Sequence, residues 1–161
     1  MAQVEVIGIR VEFPSNQPVL ILRELNSARF LPLWIGVTEA DAISMSLDEI
    51  EVPRPLTHDL TLDVIENLGE RLQSVEITEL VDGVFYAVLN FVSHDSISAR
   101  PSDAVALAVR AQVPIFVADE VLAEAGQLIS EDAEISDDEG SSDEVEQFRE
   151  FLEQINPEDF S

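Results

Sequence analysis

The sequence predicts an α+β domain with a mixed, largely antiparallel sheet and three to four helices. Strand-like and helix-like segments alternate irregularly along the chain, which does not match the regular repeat of a doubly wound fold. Apolar residues make up 46% of the 161 residues, enough for one sizeable core. The chain contains no G-x-G-x-x-G or phosphate-loop motif, so the common nucleotide-binding folds are not indicated.

Three strands are predicted at the start of the chain, joined as a meander. Residues 4–12 are rich in β-branched side chains and alternate loosely in hydropathy. A turn at residues 14–18 leads into a second strand that begins at Val19, and a third strand covers residues 30–35. Because Pro32 has no N–H to donate, the third strand is expected at a sheet edge or at a bulge.

Two helices are predicted next. The first begins after Gly36, with Thr38 as a hydroxyl cap and acidic residues in its first turn. After a rigid loop that contains two prolines, Thr57 is expected to cap a second helix, which Gly69 ends. Four apolar residues recur at helical spacing in this second helix: Leu60, Val64, Ile65 and Leu68.

The rest of the domain is predicted to contain a hairpin, short strands and two more helices. Asp82-Gly83 supplies the positive φ angles that a two-residue hairpin turn requires. Pro101 fits the first turn of a third helix, where no N–H is needed. The remaining elements are strands at residues 74–80, 84–91, 96–98 and 114–117, and a last helix at residues 119–125, closed by Gly126.

The charge of the chain is strongly negative. It carries 33 acidic residues, eight arginines and no lysine, a formal net charge of −25. Residues 1–118 hold 17 acids and seven arginines, a net of −10, and residues 119–161 hold 16 acids and one arginine, a net of −15. Since nonspecific affinity for nucleic acid comes mostly from neutralising phosphates, this field opposes such binding.

The chain is predicted to divide into a domain at 1–126, a disordered acidic linker at 127–144, and a short amphipathic helix or tail at 145–161. The linker is dominated by Asp, Glu, Ser and Gly and cannot bury enough surface to become ordered. Five apolar tail residues fall at offsets of 0, 3, 6, 7 and 10: Val145, Phe148, Phe151, Leu152 and Ile155. So short a helix is marginal alone. It is expected to dock on the domain, a protein partner or a second copy, with a homo-oligomer, specifically a dimer, favoured.

A cytoplasmic location without membrane contact is the expectation. The chain has no cysteine, which excludes disulfides and thiolate metal sites. Its first residues show no signal-peptide pattern, and no apolar run approaches the roughly eighteen residues that span a bilayer.

Two polar runs stand out, at residues 54–59 and 98–103. Each places an Arg-Pro pair ahead of a hydroxyl residue and an aspartate, where a helix is predicted to begin. Together with residues 31–36 and 82–87, these runs resemble the motifs of the bifunctional nuclease domain family, over roughly residues 3–126. The resemblance implies cleavage of RNA and DNA, and implies that the two Arg-Pro runs converge in space.

The first run presents Arg54, His58 and Asp59. His58 and Asp59 fit the first turn of a capped helix, and imidazole is also the side chain suited to proton transfer near neutral pH. The nuclease hypothesis makes His58 the general base, Asp59 a catalytic carboxylate, and Arg54 a phosphate contact. Trp34 is expected to serve packing, and the other histidine, His94, to be solvated.

The second run presents Arg100, Ser102 and Asp103. Its residues fit simple helix-start chemistry, with Arg100 paired to Asp103 or Asp59, and they also fit an anion site at a helix N-terminus. In the nuclease hypothesis Arg100 and Ser102 contact phosphate and Asp103 is catalytic. Glu39, Asp59 and Asp103 are then candidate carboxylate ligands for Mg²⁺ or Mn²⁺, while helix capping is the alternative role of Glu39.

Two other functions stay open. A non-catalytic regulatory domain would hold a small anionic ligand or a protein partner, such as a transcription regulator. An acidic surface also suits mimicry of nucleic acid in the basic groove of a DNA-binding protein.

Overall fold

The computed structural model describes residues 1–128, which form an eight-stranded sheet and four helices. The strands are β1 (Ala2–Glu12), β2 (Gln17–Glu24), β3 (Arg29–Trp34), β4 (Leu72–Val81), β5 (Val84–Phe91), β6 (Ile97–Ala99), β7 (Ile115–Val117) and β8 (Gln127–Leu128). The helices are α1 (Val37–Leu47), α2 (Thr57–Asn67), α3 (Pro101–Ala111) and α4 (Asp119–Ala125). The predicted α+β class is confirmed.

The sheet has the strand order β6-β5-β4-β7-β1-β2-β3-β8. All neighbouring pairs are antiparallel except β4 and β7, which are parallel. The three-residue strand β7 therefore joins two antiparallel halves, the β1–β3 meander and the β4–β5 hairpin. Both halves are local in sequence, and only β7 makes them one sheet.

Pro32 lies at a position where, among the described residues, strand β3 has a neighbouring strand on one side only. Its position pairs with Ile21 of β2 on one side. On the other side β8 pairs only with Arg29 and Phe30, so Pro32 has no strand neighbour there within residues 1–128. The edge position expected from the missing N–H is confirmed.

The β4–β5 hairpin turns at the predicted dipeptide. Asp82 and Gly83 have φ angles of 51° and 77°, the left-handed values of a two-residue turn that matches the twist of the strands. Asp82 accepts this conformation because aspartate tolerates it better than most residues do.

The main core lies between one face of the sheet and the helices. Helix α3 packs against α1, α2, β4 and β5, and its residues from Ala104 to Ala108 are all buried. Among the largest fully buried side chains are Leu20, Leu22, Leu31, Ile43, Ile77 and Leu122. A smaller cluster of Val19, Ile21 and Phe30 lies on the opposite face of the sheet, with Trp34 packed against it. The expected packing role of Trp34 is consistent with this position.

Helix α2 differs from the others because none of its residues is buried. Leu62 and Ile65 are partly buried against the core. Leu60, Val64 and Leu68, which identified the helix in the sequence, are instead 52%, 48% and 80% exposed. Most of the apolar pattern of α2 therefore faces outward.

The predicted hydroxyl caps are wrong at two helix starts. Thr38 and Thr57 are helical residues, and the N-cap positions belong to Gly36 and Leu56, with no side-chain cap bond in either case. At α2 the carboxylate of Asp59, in the first turn, accepts a 2.9 Å bond from the N–H of the N-cap residue Leu56, which closes the first turn without a hydroxyl.

The first two residues of the linker predicted at 127–144 form strand β8, which pairs with β3. The rest of that linker, the tail helix and the tail-mediated dimer lie outside the described residues. No helix within residues 1–128 is long and apolar enough to cross a membrane.

Candidate functional site

The two Arg-Pro runs meet where α2 and α3 begin. His58, in the first turn of α2, places its Nε2 atom 3.1 Å from Oδ1 of Asp103, in the first turn of α3. The His58 side chain is only 12% exposed and that of Asp103 is 30% exposed. The contact thus links residues that are far apart in the sequence at a half-buried position.

Arg100 extends this contact to a third helix. Its Nε donates to Oδ2 of Asp103 at 2.7 Å, and its Nη2 donates to Oε1 of Glu39 at 2.7 Å. These bonds form a chain of four side chains, His58–Asp103–Arg100–Glu39, which we call the site network. Nη1 of Arg100 has no hydrogen-bond partner in the part of the chain that is described, and the side chain is 66% exposed. The guanidinium therefore has donors left for a ligand.

Gly36 makes room for the Glu39 carboxylate. A Cβ atom at position 36 would collide with Oε2 of Glu39, because that side chain folds back over the start of α1. A larger residue at position 36 would therefore force the Glu39 carboxylate to shift from the place where it meets Arg100. Glu39 is neither a simple helix cap nor free, since its other oxygen holds Arg100.

Asp59 points away from the site network and pairs with Arg110. Nε of Arg110 donates to Oδ1 of Asp59 at 2.7 Å, and Nη1 of Arg110 also donates to the Ala106 carbonyl at 3.2 Å. The Arg110 side chain is 8% exposed. The pair fastens the first turn of α2 to the last turn of α3. The proposed pairing of Arg100 with Asp59 is therefore wrong, whereas its pairing with Asp103 is confirmed.

Arg110 was not singled out in the sequence, although a signal was present. It follows Asp103 by seven residues, which places both side chains on the same face of α3 two turns apart. Asp103 and Arg110 carry opposite charges and contact the adjacent residues His58 and Asp59, respectively. Two opposite charges on the same face of α3 would have indicated that α2 packs against that face.

Both aspartates stay ionised at neutral pH. Burial opposes ionisation of Asp103, but its bonds with Arg100 and His58 outweigh burial and hold its pKa below the ordinary value. Burial likewise opposes ionisation of Asp59, and the Leu56 N–H with Arg110 lowers the pKa of Asp59 in the same way. Because the Asp103 carboxylate can only accept, Nε2 of His58 carries the proton of the shared bond. The lone pair of neutral His58 is then on Nδ1.

The other candidate residues take different positions. Ser102 is 8% exposed, in the first turn of α3. Arg54 is exposed in the loop before α2 and forms no ion pair within residues 1–128. His94 is exposed as expected, but its Nδ1 also contacts the buried carboxylate of Glu70. That carboxylate further accepts the N–H groups of Arg71 and Ser93 at 2.8 and 3.2 Å.

The proposed carboxylate ligands do not form a metal site as they are arranged. Within residues 1–128, no three His, Cys, Asp or Glu side chains lie together in a group that could hold a metal ion. Arg100 lies between Glu39 and Asp103, and Asp59 is turned toward Arg110. The set Glu39, Asp59 and Asp103 therefore does not fit Mg²⁺ or Mn²⁺ without rearrangement.

Comparison with known proteins decides the family. The family model described as "Bifunctional nuclease domain" matches residues 20–130, more than half of the chain. The chain belongs to the bifunctional nuclease domain family. Both Arg-Pro runs, and Gly36 with Glu39, lie inside the matched region.

Relatives of two kinds are similar to the chain. Uncharacterized protein Rv1829 of Mycobacterium tuberculosis (strain ATCC 25618 / H37Rv) is 52% identical over 164 residues, covering 99% of this chain and 98% of that protein. Bifunctional nuclease 1 of Oryza sativa subsp. japonica is 30% identical over 118 residues, covering 70% of this chain and 35% of that protein. Bifunctional nuclease 1 of Arabidopsis thaliana is 24% identical, covering 78% of this chain and 41% of that protein. The chain thus spans well under half the length of these plant nucleases.

Proposed function

We propose that the chain hydrolyses phosphodiester bonds of RNA or DNA at the start of α2 and α3, with His58 as the general base. The observation that carries the proposal is the site network. It connects both Arg-Pro runs and combines an oriented imidazole with a surface guanidinium. Membership in the bifunctional nuclease domain family and similarity to plant proteins named bifunctional nucleases support the substrate class.

His58 supplies the proton acceptor in this proposal. With Nε2–H held by the Asp103 carboxylate, Nδ1 accepts the proton of a nucleophile. The nucleophile is water for either substrate. Its oxygen bonds to phosphorus, the bond from phosphorus to the leaving sugar oxygen breaks, and that oxygen takes a proton from solvent. Asp103 orients the ring and stabilises the imidazolium that forms.

Arg100 and Arg54 are the proposed phosphate contacts. Arg100 is held in place by two carboxylates and keeps Nη1 for a phosphate oxygen. Arg54 is exposed and forms no ion pair with any described residue, so its charge is not already balanced. Ser102, the other predicted phosphate contact, directly precedes Asp103 and is only 8% exposed, so in this proposal it positions Asp103.

Use of Mg²⁺ or Mn²⁺ is proposed on the family relation. Glu39, Asp59 and Asp103 are the candidate ligands, and an ion bound there would neutralise charge on the phosphate. Since Arg100 and Arg110 already hold these carboxylates, binding would require at least Arg100 to move. No step above depends on the ion.

A second candidate function is a regulatory domain that binds an anionic ligand or a protein partner without cleavage. The negative charge of the chain favours this regulatory function. Each of the three candidate carboxylates is paired with an arginine, and the chain carries a net charge of −25. A polyanion such as long RNA is repelled by this field more than a small anion is.

The test is cleavage of single-stranded RNA and of single-stranded DNA by the purified chain, with and without Mg²⁺ or Mn²⁺. His58→Ala and Asp103→Asn should each lower turnover by about a hundredfold. The matched control is His94→Ala, which removes the chain's other histidine and should leave turnover unchanged. Equal cleavage by wild type, His58→Ala and Asp103→Asn would refute the catalytic site. No cleavage by the wild type under any of these conditions would leave the regulatory function.

A further inference from the structure

One side of α2 is an apolar surface with no partner among the described residues. Leu56, Leu60, Val64 and Leu68 follow one another at intervals of four residues and are 41%, 52%, 48% and 80% exposed. At a rise of 1.5 Å per residue this stripe is about 18 Å long. We call these four residues the α2 outer face.

The α2 outer face contains no charged residue. On a helical wheel with 100° per residue, the four apolar residues lie within an arc of about 140°. Every other residue in that arc is uncharged. Those residues are Thr57, Thr61 and Asn67. The acids of the helix lie to one side of this arc, and Asp63 is the nearest of them. A four-residue apolar stripe without charges is typical of a buried helix face.

The opposite side of α2 already holds the helix on the domain. His58 and Asp59 bond to Asp103 and Arg110, and Leu62 and Ile65 are partly buried against the core. The outer face is therefore not needed for packing within residues 1–128. It remains available to a second helix.

Residues 145–155 have a complementary pattern. Their five apolar residues occupy about 120° of a helix at 100° per residue. Arg149 falls at one edge of that arc and Gln147 and Gln154 at the other, while the glutamates lie on the far side. Arg149, the single arginine beyond residue 118, is thus placed to meet an acid beside an apolar groove. Asp63 is such an acid.

The intervening chain is long enough. Sixteen residues separate Leu128, in β8, from Val145. Fully extended they reach about 53 Å, and as a flexible chain they span roughly 22 Å. A domain of this size has a radius of gyration of about 14 Å and hence a diameter of about 36 Å, which is less than the extended length of these sixteen residues. Tethering raises the local concentration of residues 145–155 to the millimolar range, above that of a second copy in dilute solution.

We propose that residues 145–155 bind as an amphipathic helix on the α2 outer face of the same chain, with Arg149 beside Asp63. This contact would cover the apolar stripe and would support α2, the helix that carries His58. It does not depend on nuclease activity.

The absence of cysteine allows a direct test on the full chain. Ser142→Cys introduces one thiol, to which a nitroxide spin label is attached, and paramagnetic broadening of backbone amides is measured by NMR on ¹⁵N-labelled chain. The amides of Leu60, Val64 and Leu68 should broaden several-fold more than those of Val81 and Val84, in the β4–β5 hairpin. Phe148→Ser combined with Phe151→Ser should abolish this difference. Gln147→Ser combined with Gln154→Ser, the matched control on the polar edge, should preserve it.

A mixing experiment separates the same chain from a second copy. Spin-labelled chain without ¹⁵N is mixed with ¹⁵N-labelled chain that carries no spin label. Little broadening in the mixture supports docking within one chain. Broadening of the α2 amides in the mixture, as strong as in the single sample, would overturn the proposal in favour of exchange between two copies. Absence of broadening at α2 in both samples would also overturn it.

Discussion

Helices α2 and α3 start with similar runs, contain 11 residues each, and occupy opposite kinds of environment. Six residues of α3 are buried, from Ser102 to Ala108 with Asp103 as the exception, and none of α2 is buried. Both helices place an aspartate in their first turn, and both aspartates are paired with arginine. Similar starting residues therefore do not determine how deeply a helix is buried.

The two helices differ in burial because of the side chains that follow their first turns. The interior of α3 consists of alanines, valines and one leucine, which let α1, α2 and two strands approach closely. In α2, acids such as Asp63 and Glu66 interrupt the apolar positions, and only Leu62 and Ile65 reach the core. Helix α3 is thus the support of the site, and α2 is attached to it mainly through polar contacts.

The largest expected effect is on the free energy of unfolding, when the packing of helix α3 is disrupted. Leu107→Ala, at a position only 4% exposed, removes packed atoms and should lower the free energy of unfolding by about 2–5 kcal/mol. Leu60→Ala, its counterpart on the α2 outer face, should lower it by less, about 0.5–2 kcal/mol, because Leu60 is 52% exposed on the domain and only the proposed contact with residues 145–155 would cover it. Urea unfolding followed by circular dichroism measures both. Equal losses would show that α2 belongs to the core as much as α3 does.

The ion pair that fastens α2 to α3 should have an intermediate effect. Asp59→Ala leaves the nearly buried Arg110 with only the Ala106 carbonyl and should reduce stability by roughly 1–3 kcal/mol. Glu66→Ala is the control, because Glu66 is exposed on the same helix and forms no ion pair within residues 1–128. Thermal unfolding compares the two variants. If Glu66→Ala lowers stability as much as Asp59→Ala does, the Asp59–Arg110 pair does not anchor α2 to α3.

As the pH is lowered, helix α2 should lose its contacts with the domain before helix α3 unfolds. The pKa values of Asp59 and Asp103 are lowered in the folded protein, so their contribution to stability is fully present above the ordinary aspartate pKa of about 3.9. It is lost as the pH falls through the lowered values. Hydrogen exchange of backbone amides, measured at decreasing pH, should show α2 losing protection at a higher pH than α3. Simultaneous loss in both helices would mean that they unfold as one unit.

The smallest expected effect concerns phosphate contact in the loop before α2. Arg54→Ala should raise KM for RNA several-fold and weaken its dependence on salt, because one phosphate contact is lost. Arg71→Ala is the matched control, since Arg71 is also exposed and its side chain forms no ion pair among the described residues. Steady-state cleavage at two salt concentrations measures both variants. Identical KM changes would indicate only a general effect of net charge.

Much of the fold could be predicted because the signals are local. The β1–β3 meander, the hairpin at Asp82-Gly83 and the start of α3 at Pro101 each depend on residues close together in the chain. The helix caps at Thr38 and Thr57 failed for a local reason too. Each helix begins earlier than its threonine indicates: the N-cap positions are Gly36 and Leu56, two residues before Thr38 and one before Thr57, and residue preference alone does not resolve so small a shift of a helix boundary.

The sequence by itself determined which residue types stand at the two helix starts, and that His58, Arg100 and Asp103 are suited to proton transfer and anion contact. Tertiary structure decided their partners. The insertion of β7 between β1 and β4, and the packing of α3 against α1 and α2, bring Glu39 to Arg100 and Arg110 to Asp59. It also decided that Leu60, Val64 and Leu68 face outward. An apolar stripe shows that a helix has a face to bury, but only contacts between distant parts of the chain select which face the domain covers.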